Sequence, residues 1–520
     1  RGGLAVEFSR LNENGTMQNH KAIIINEDAN HYYITRGAAG ATPEALRDLS
    51  ARYCRGMVGE VFYNVNAQKC SVDGFSLDPI WRGVEKRDDG YYFNGRKQSY
   101  SWLGPWFDCA FGLHRLGIDP YAVWLAETRR LGRKGFISIR MNDTHCVDDL
   151  DCPLLGELWL NHLEWRLDTT GLPGWNAQAL DYARPEVRNL YLTFTKEVLE
   201  HYDCDGVELD WMRFGHQFQT KDTSAGRAIL TDFHRDVRKA ADAAATRLSH
   251  RVDVYARVPS SPTEAFAMGY DVKRWADEGL VQGVIVAPFD YVDTDMPIAF
   301  WRSFLGPDVV LCACLELNIE PYSGADSIRQ DFALLAGQAA AYLQQGADRI
   351  YLFNMMDTGC IEDPAQYNRA LDTLGSLEAA AAAHRRHVAT YQDIWAFGHN
   401  NSSPSCMHGL LPACLHPFEF FRIRLATGPK PSADRKCRLV IGGDAGKIAS
   451  MKAWLNNVPL EPTGTFENGP GLDEPYSKCA SVFATFDCTD KVADGDNLVV
   501  LQNVDRGREL NIRWAEIEIF

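Results

Sequence analysis

The sequence predicts an α/β protein: a (β/α)8 TIM barrel over residues 1–390, then a C-terminal β-sandwich over 391–520. Three observations carry this. Eight apolar, strand-like segments recur between residues 22 and 354. Helical patterns separate them, and strand–helix alternation of that length closes most economically into a parallel barrel. From about Tyr391 the helical patterns stop and short alternating segments divided by turn residues take over.

The strand segments, in order, are 22–26, 60–66, 136–140, 206–210, 252–257, 283–287, 309–314 and 349–354. Helices are expected over 43–52, 185–199, 225–248, 326–345 and 364–384, the second opening on Pro185 as helix starts often do. A doubly wound open sheet is the alternative, but no G-x-G-x-x-G follows the first strand. Residues 68–130 exceed a simple connection and read as a large insertion rich in aromatics, among them Tyr91, Trp102 and Trp106. It is either a small core of its own or a roof over a sugar site. In the second unit, strands are expected at 420–425, 436–441, 452–455, 497–501 and 510–519.

The chain has 520 residues, 46% hydrophobic and 23% charged, with a formal net charge of -16. That composition is ordinary for a globular protein. The negative balance, with no basic stripe against it, argues against nucleic acid or an anionic membrane as partner. It also means an anionic substrate needs a locally positive pocket. No apolar run approaches the length of a membrane span, and the N-terminal residues lack a signal peptide's apolar stretch. Cytoplasmic, periplasmic and secreted placements stay open, and a homodimer is compatible with the sequence. The 14 cysteines have no metal-ligand spacing and read as reduced core residues. The triplets at Asn14 and Asn401 match the glycosylation pattern at chance level.

Chemistry concentrates where the strands end. In Phe136–His145, Ile137, Ile139 and Met141 share one parity and Ser138, Arg140 and Asn142 the other, with Asp143 and His145 following. The C-terminal ends of barrel strands are where active sites sit. An arginine there holds an anion, and a histidine moves a proton near neutral pH. In 206–213, Val207, Leu209 and Trp211 face the helices, so Glu208 and Asp210 point into the barrel and need partners. Asn26 and Asp28 end the first strand, with His31 close behind, and Asn354 ends the last. Asn66, Arg257 and Glu316 reach the same rim. Polar residues delivered by several strands to one rim make a binding pocket. A metal held by Asp28, His31, Asp143 and His145 lacks supporting spacing, and no G-x-S-x-G elbow appears.

These segments resemble the glycoside hydrolase family 156 sialidases. The resemblance rests on Asn26-Glu-Asp28, Arg140-Met-Asn-Asp-Thr-His145, Asp205-Gly-Val-Glu-Leu-Asp-Trp-Met-Arg213 and Tyr351-Leu-Phe-Asn354. It implies an inverting exo-sialidase without a cofactor, acting on sialylated glycans. Asp28 and His145 would be the acid–base pair. Arg140 and Arg213 would hold the substrate carboxylate, and Asn354 would assist. Asn26, His31, Asn142, Asp143 and Asp210 complete the candidate substrate site.

An inverting glycosidase needs an acid at the leaving oxygen and a base that activates water on the opposite face. Asp28 is taken as acid and His145 as base, with Asp143 orienting the histidine; the reverse is physically admissible. Two rivals stand beside this reading. One is a barrel hydrolase using Glu208 and Asp210 on a neutral glycan. The other is a non-catalytic glycan-binding protein.

Overall fold

The computed structural model describes residues 22–167, 177–219, 222–288, 294–322, 325–358, 363–390, 410–444, 448, 451–467 and 479–520. The glycosylation triplets at Asn14 and Asn401 lie outside them.

Eight parallel strands close into a barrel in chain order: β1 (Ile23–Glu27), β2 (Val58–Asn64), β3 (Lys134–Arg140), β4 (Gly206–Asp210), β5 (Asp253–Pro259), β6 (Gly283–Ala287), β7 (Val310–Leu315) and β8 (Arg349–Leu352). β8 pairs with β1, which excludes the open sheet. The closed strands read as apolar runs because both faces are buried.

The barrel is filled in layers. Phe62 and Phe136 stack with centroids 4.4 Å apart, and Tyr255 and Tyr351 meet Phe62 edge-on. Two of these four inward rings fit because glycine faces them. A Cβ on Gly206 would come within 2.3 Å of the Phe136 ring, and one on Gly283 within 2.5 Å of Tyr255. Above this apolar plug, Arg140, Asp210 and Arg257 are level neighbours on β3, β4 and β5. The apolar plug closes the barrel below, so these polar residues gather above it toward the C-terminal rim.

The helices differ from expectation at two places. The pattern over 326–345 gives a helix only at Phe332–Gln344, where Asp331 accepts from Leu334 N–H as N-cap. Ile328–Arg329 instead forms a short ladder with Asn318–Ile319. The stretch 364–384 breaks into Pro364–Thr373 and Leu377–Ala382, because Gly375 ends the first helix and Ser376 caps the second.

The insertion splits in two. Residues 84–97 form a small antiparallel sheet, whereas the helices Leu103–Arg115 and Pro120–Arg130 join the barrel's outer layer. Tyr100 and Arg96 hydrogen-bond Asp149 and Asp151, so the insertion grips the loop that follows His145.

The C-terminal unit is a nine-stranded antiparallel sheet folded into two layers around Leu439, Ile441, Leu455, Val499, Leu501, Ile512 and Ile517. Val458–Glu467 joins the layers. Its start pairs with Met451–Leu455 and its remainder with Val482–Asp487. Arg385–Val388, ahead of the boundary expected after residue 390, pairs with Leu510–Ile519 as part of this sheet. The sheet meets the barrel through helix Phe332–Gln344, where Gly337 lies so close that a Cβ would sit 2.1 Å from Arg386 O. The Arg386 guanidinium pairs with Glu516 at 2.7 and 2.9 Å and with Asp331 at 3.0 Å.

Candidate active site

β1, β3 and the turn after β4 bring Asp28, Arg140, Asp143, His145 and Arg213 together at the C-terminal rim. Arg140 lies between two aspartates. Its Nη1–H donates to Asp143 Oδ2 at 2.8 Å and its Nη2–H to Asp28 Oδ1. Asp143 is fully buried and its other oxygen accepts from His145 Nδ1 at 2.8 Å and from the His145 backbone N–H at 2.9 Å. The remaining ring nitrogen, Nε2, lies 3.3 Å from Arg213 Nη2. With Nδ1–H given to Asp143, Nε2 carries the lone pair and accepts from the guanidinium.

The electrostatics follow from this packing. Burial disfavours the Asp28 carboxylate, yet the Arg140 and Arg213 charges lead the interactions that outweigh it and hold the carboxyl below its ordinary range. Asp143 is opposed by burial in the same way, and His145 and Arg140 bring it far down. Arg213 is the reverse case. Burial, then the neighbouring Arg140 charge, lowers its affinity for a proton. Among the described residues it has no carboxylate within ion-pair distance, and its Nε–H is buried without a partner. Its guanidinium carbon lies 5.3 Å from the Phe353 ring centroid. Asp28, Asp143 and Asp210 act on this half-buried cation only from beyond ion-pair distance, against the repulsion of Arg140.

Other expected residues are used otherwise. His31 is buried. Its Nδ1 bonds Glu27 at 2.9 Å and its Nε2 bonds Thr358 Oγ1 at 2.9 Å, so its ring serves a network that also includes Tyr53. Burial lowers its basicity but Glu27 more than restores it. Asn142 clamps the backbone: its amide nitrogen reaches Leu180 O and His216 O, and its oxygen accepts from Leu180 N–H. Asp210 accepts from the Met212 and Arg213 backbone N–H groups at 3.0 Å and from Arg257 at 3.2 Å, fixing the turn that aims Arg213. Asn354, at φ +55°, a backbone state asparagine tolerates, donates to Glu316 at 3.2 Å. Asn26 is buried with its amide nitrogen unpartnered among the described residues. Among the described residues, no group of three or more His, Cys, Asp or Glu is arranged to hold a metal.

Glu208 and Asp210 do not form an exposed carboxylate pair. Glu208 is fully buried, its Oε1 accepts from Tyr351 O–H at 2.8 Å, and burial followed by Asp210 pushes its carboxyl up to about 8.

Two residues of this site were missed from sequence. Phe353 supplies the aromatic face under Arg213 and, at 3.7 Å, under Arg257. Its parity with Tyr351 on β8 was a usable signal. Phe214 meets the His145 ring edge-on at 5.1 Å, and nothing in its local pattern announces that.

No family model and no curated protein matches the sequence. Among solved structures, the chain is similar to the PgaB (BpsB) glycoside hydrolase domain from Bordetella bronchiseptica, at 11% identity and TM-score 0.42, over 68% of this chain and 99% of that one. It is similar to chitinase ChiA74 from Bacillus thuringiensis at 9% identity and TM-score 0.39, over 95% and 100% of the two chains. An alpha-amylase from Anoxybacillus follows at 9% identity and TM-score 0.37, over 96% and 98%. Likenesses this remote say nothing of substrate or of residue roles. Among the described residues no helix is long and apolar enough to cross a membrane.

Proposed function

We propose that this chain is a glycoside hydrolase that removes a terminal anionic sugar of the sialic acid class, with inversion at the anomeric carbon. The observation that carries the reading is Arg213, a cation at the barrel rim that lacks a carboxylate partner among the described residues, lies against His145 Nε2 and feels the charge of Arg140. A substrate carboxylate seated on Arg213 supplies the missing charge, and a guanidinium suits it because its fork binds a carboxylate in two-point fashion.

The same anion arms the catalytic pair. Without substrate, Arg140 holds Asp28 as a carboxylate and Arg213 occupies the His145 lone pair. A carboxylate that draws on both arginines weakens their hold on Asp28 and frees Nε2. A second negative charge beside Asp28 favours its protonated form. Asp28 then gives its proton to the leaving glycosidic oxygen as the bond to the anomeric carbon breaks. His145 Nε2 takes a proton from water as the water oxygen bonds that carbon from the other face. Asp143 keeps the ring oriented and balances the imidazolium that results, an orienting role familiar from histidine–aspartate pairs.

A neutral-glycan hydrolase built on Glu208 and Asp210 fits less well, since both carboxyls are buried, Glu208 bonded to Tyr351 and Asp210 to Arg257 and the backbone of the turn after β4. Proton NMR of the turnover of an aryl α-sialoside tests the proposal. The first sugar released should be the β anomer; the α anomer as first product, or no turnover, overturns it.

A further inference from the structure

The chain turns sharply after His145. Cys146 stands at φ +61°, a left-handed backbone state that residues with a Cβ rarely adopt. Its carbonyl accepts from Asp149 N–H at 2.9 Å, and the Asp149 carbonyl accepts from Cys152 N–H at 2.9 Å. These two turns bring the Cys146 and Cys152 thiols together, and the Cys152 S–H donates to the Cys146 sulfur. Tyr100 and Arg96 of the insertion hold Asp149 and Asp151, so the pair sits in an anchored loop.

The two thiols are unlike. Cys146 is partly exposed, whereas Cys152 is fully buried. The hydrogen bond from Cys152 draws the Cys146 thiol below the ordinary cysteine range, although burial, Asp143 and Asp149 oppose it. The same bond, and then burial, pushes the Cys152 thiol up, so that it keeps its proton. Cys70, Cys109, Cys204 and Cys314 differ from Cys146, because burial pushes all four up. A reachable thiol that ionises readily, in contact with a protonated second thiol, is the arrangement of a redox-reactive cysteine and its resolving partner.

We infer that Cys146 and Cys152 form a peroxide-sensitive pair, in which Cys146 is oxidised first and Cys152 then closes a disulfide directly after His145. The Cys146 thiolate attacks one oxygen of hydrogen peroxide. The O–O bond breaks, a sulfenic acid forms on Cys146, and the hydroxide that leaves takes up the proton Cys146 had released. The Cys152 sulfur then displaces the sulfenic oxygen. The S–S bond forms, the S–O bond breaks, and the departing hydroxide leaves as water with the Cys152 proton. Two thiols thereby lose two electrons to the peroxide, which ends as two waters. The bridge ties down the loop that starts at His145. Its chemistry needs no sialoside, so it holds whatever the barrel cleaves.

The test treats the pre-reduced full chain with hydrogen peroxide, blocks the remaining thiols with iodoacetamide and weighs the tryptic peptides. Peptide 141–166 contains these two cysteines, no other cysteine and no internal lysine or arginine. It should carry no label, weigh about 2 Da less than its reduced form for the two hydrogens lost, and become doubly labelled after treatment with a reducing phosphine. Cys152→Ser should stop at the sulfenic acid, which dimedone tags at Cys146. Cys146→Ser should leave the buried Cys152 reduced at the same peroxide dose. Wild type decides alone if either variant does not fold. A doubly labelled peptide 141–166 at a dose that oxidises the exposed Cys414, or a bridge from this peptide to another cysteine, overturns the inference. So does an untagged Cys146 in folded Cys152→Ser, or an oxidised Cys152 in folded Cys146→Ser.

Discussion

Arg213 Nη2 lies 3.3 Å from His145 Nε2, so a guanidinium covers the nitrogen proposed to move the proton. A second guanidinium, from Arg140, pairs with Asp28. The two proposed catalytic groups are thus each engaged by an arginine, and the two arginines repel each other. In the proposed reaction an anionic substrate relieves that repulsion and frees the groups it needs.

Arg213 should therefore matter in proportion to substrate charge. Arg213→Met is expected to lower kcat/KM on an aryl sialoside by roughly 10- to 150-fold, the range of a hydrogen bond to a charged group. Affinity for a neutral aryl glycoside should change little. Equal losses on both substrates would mean that Arg213 does not read the carboxylate.

Anion binding should take up a proton. Asp28 is held below its ordinary range in the free protein, so at pH 5–6 it is ionised. Bringing a substrate carboxylate beside it raises its pKa, and linkage requires proton uptake of up to about one per site. Calorimetric titration with N-acetylneuraminate in two buffers of different ionisation enthalpy measures this. Proton release on binding would contradict the proposed coupling.

His145→Ala should reduce kcat by about 10²–10⁴, the usual contribution of a positioned acid–base group. Asp143→Asn should also lower kcat, because the amide no longer fixes the Nδ1–H tautomer. Circular dichroism and melting curves on both variants check that they fold, and near-normal turnover in His145→Ala sinks the mechanism.

Arg140→Met should destabilise the fold by about 3–5 kcal/mol at pH 7, because Asp28 and Asp143 stay buried and charged while losing the guanidinium that pairs with both. The sign of the pH dependence follows. Both carboxyls have depressed pKa values in the folded wild type, so their stabilisation is present above the ordinary carboxylate pKa and is lost as pH falls through the lower folded values. The melting-temperature gap between wild type and variant should therefore narrow on acidification below about pH 4. A gap that widens instead would rule out the ion-pair account.

Glu208 behaves oppositely. Its carboxyl is raised from 4.5 to about 8, so the folded chain keeps a proton that the unfolded chain releases, and wild type loses stability as pH rises between those values. Glu208→Gln should gain on wild type steadily over that interval while retaining activity. Loss of turnover in Glu208→Gln would revive the carboxylate-pair mechanism.

Much of the barrel was legible because its strands are short apolar runs with one polar parity. Phe136, Ser138 and Arg140 point inward while Ile137 and Ile139 meet the helices, a local consequence of the two-residue strand period. Helix ends were less legible where the periodicity ran on through a breaker, as over 364–384, which Gly375 and Ser376 divide. Strands 413–415, 458–467 and 482–487 were missed, their alternation interrupted by prolines, glycines and polar residues. At the candidate site, strand ends marked Asp28, Arg140 and Arg213, but not which partner each would take.

The sequence by itself determined the barrel, the change to antiparallel strands after the last barrel helix and the set of polar residues at one rim, since each follows from patterning within a few residues. Tertiary structure decided their employment. Asn142 and His31 carry the same kind of side chain as their neighbours at the rim, yet folding commits them to Leu180 and Glu27. Arg140 is occupied by two aspartates, while Arg213 has none within ion-pair distance among the described residues. The physical reason is that ion-pair choice and burial depend on distances between strands far apart in the chain, which no local pattern encodes.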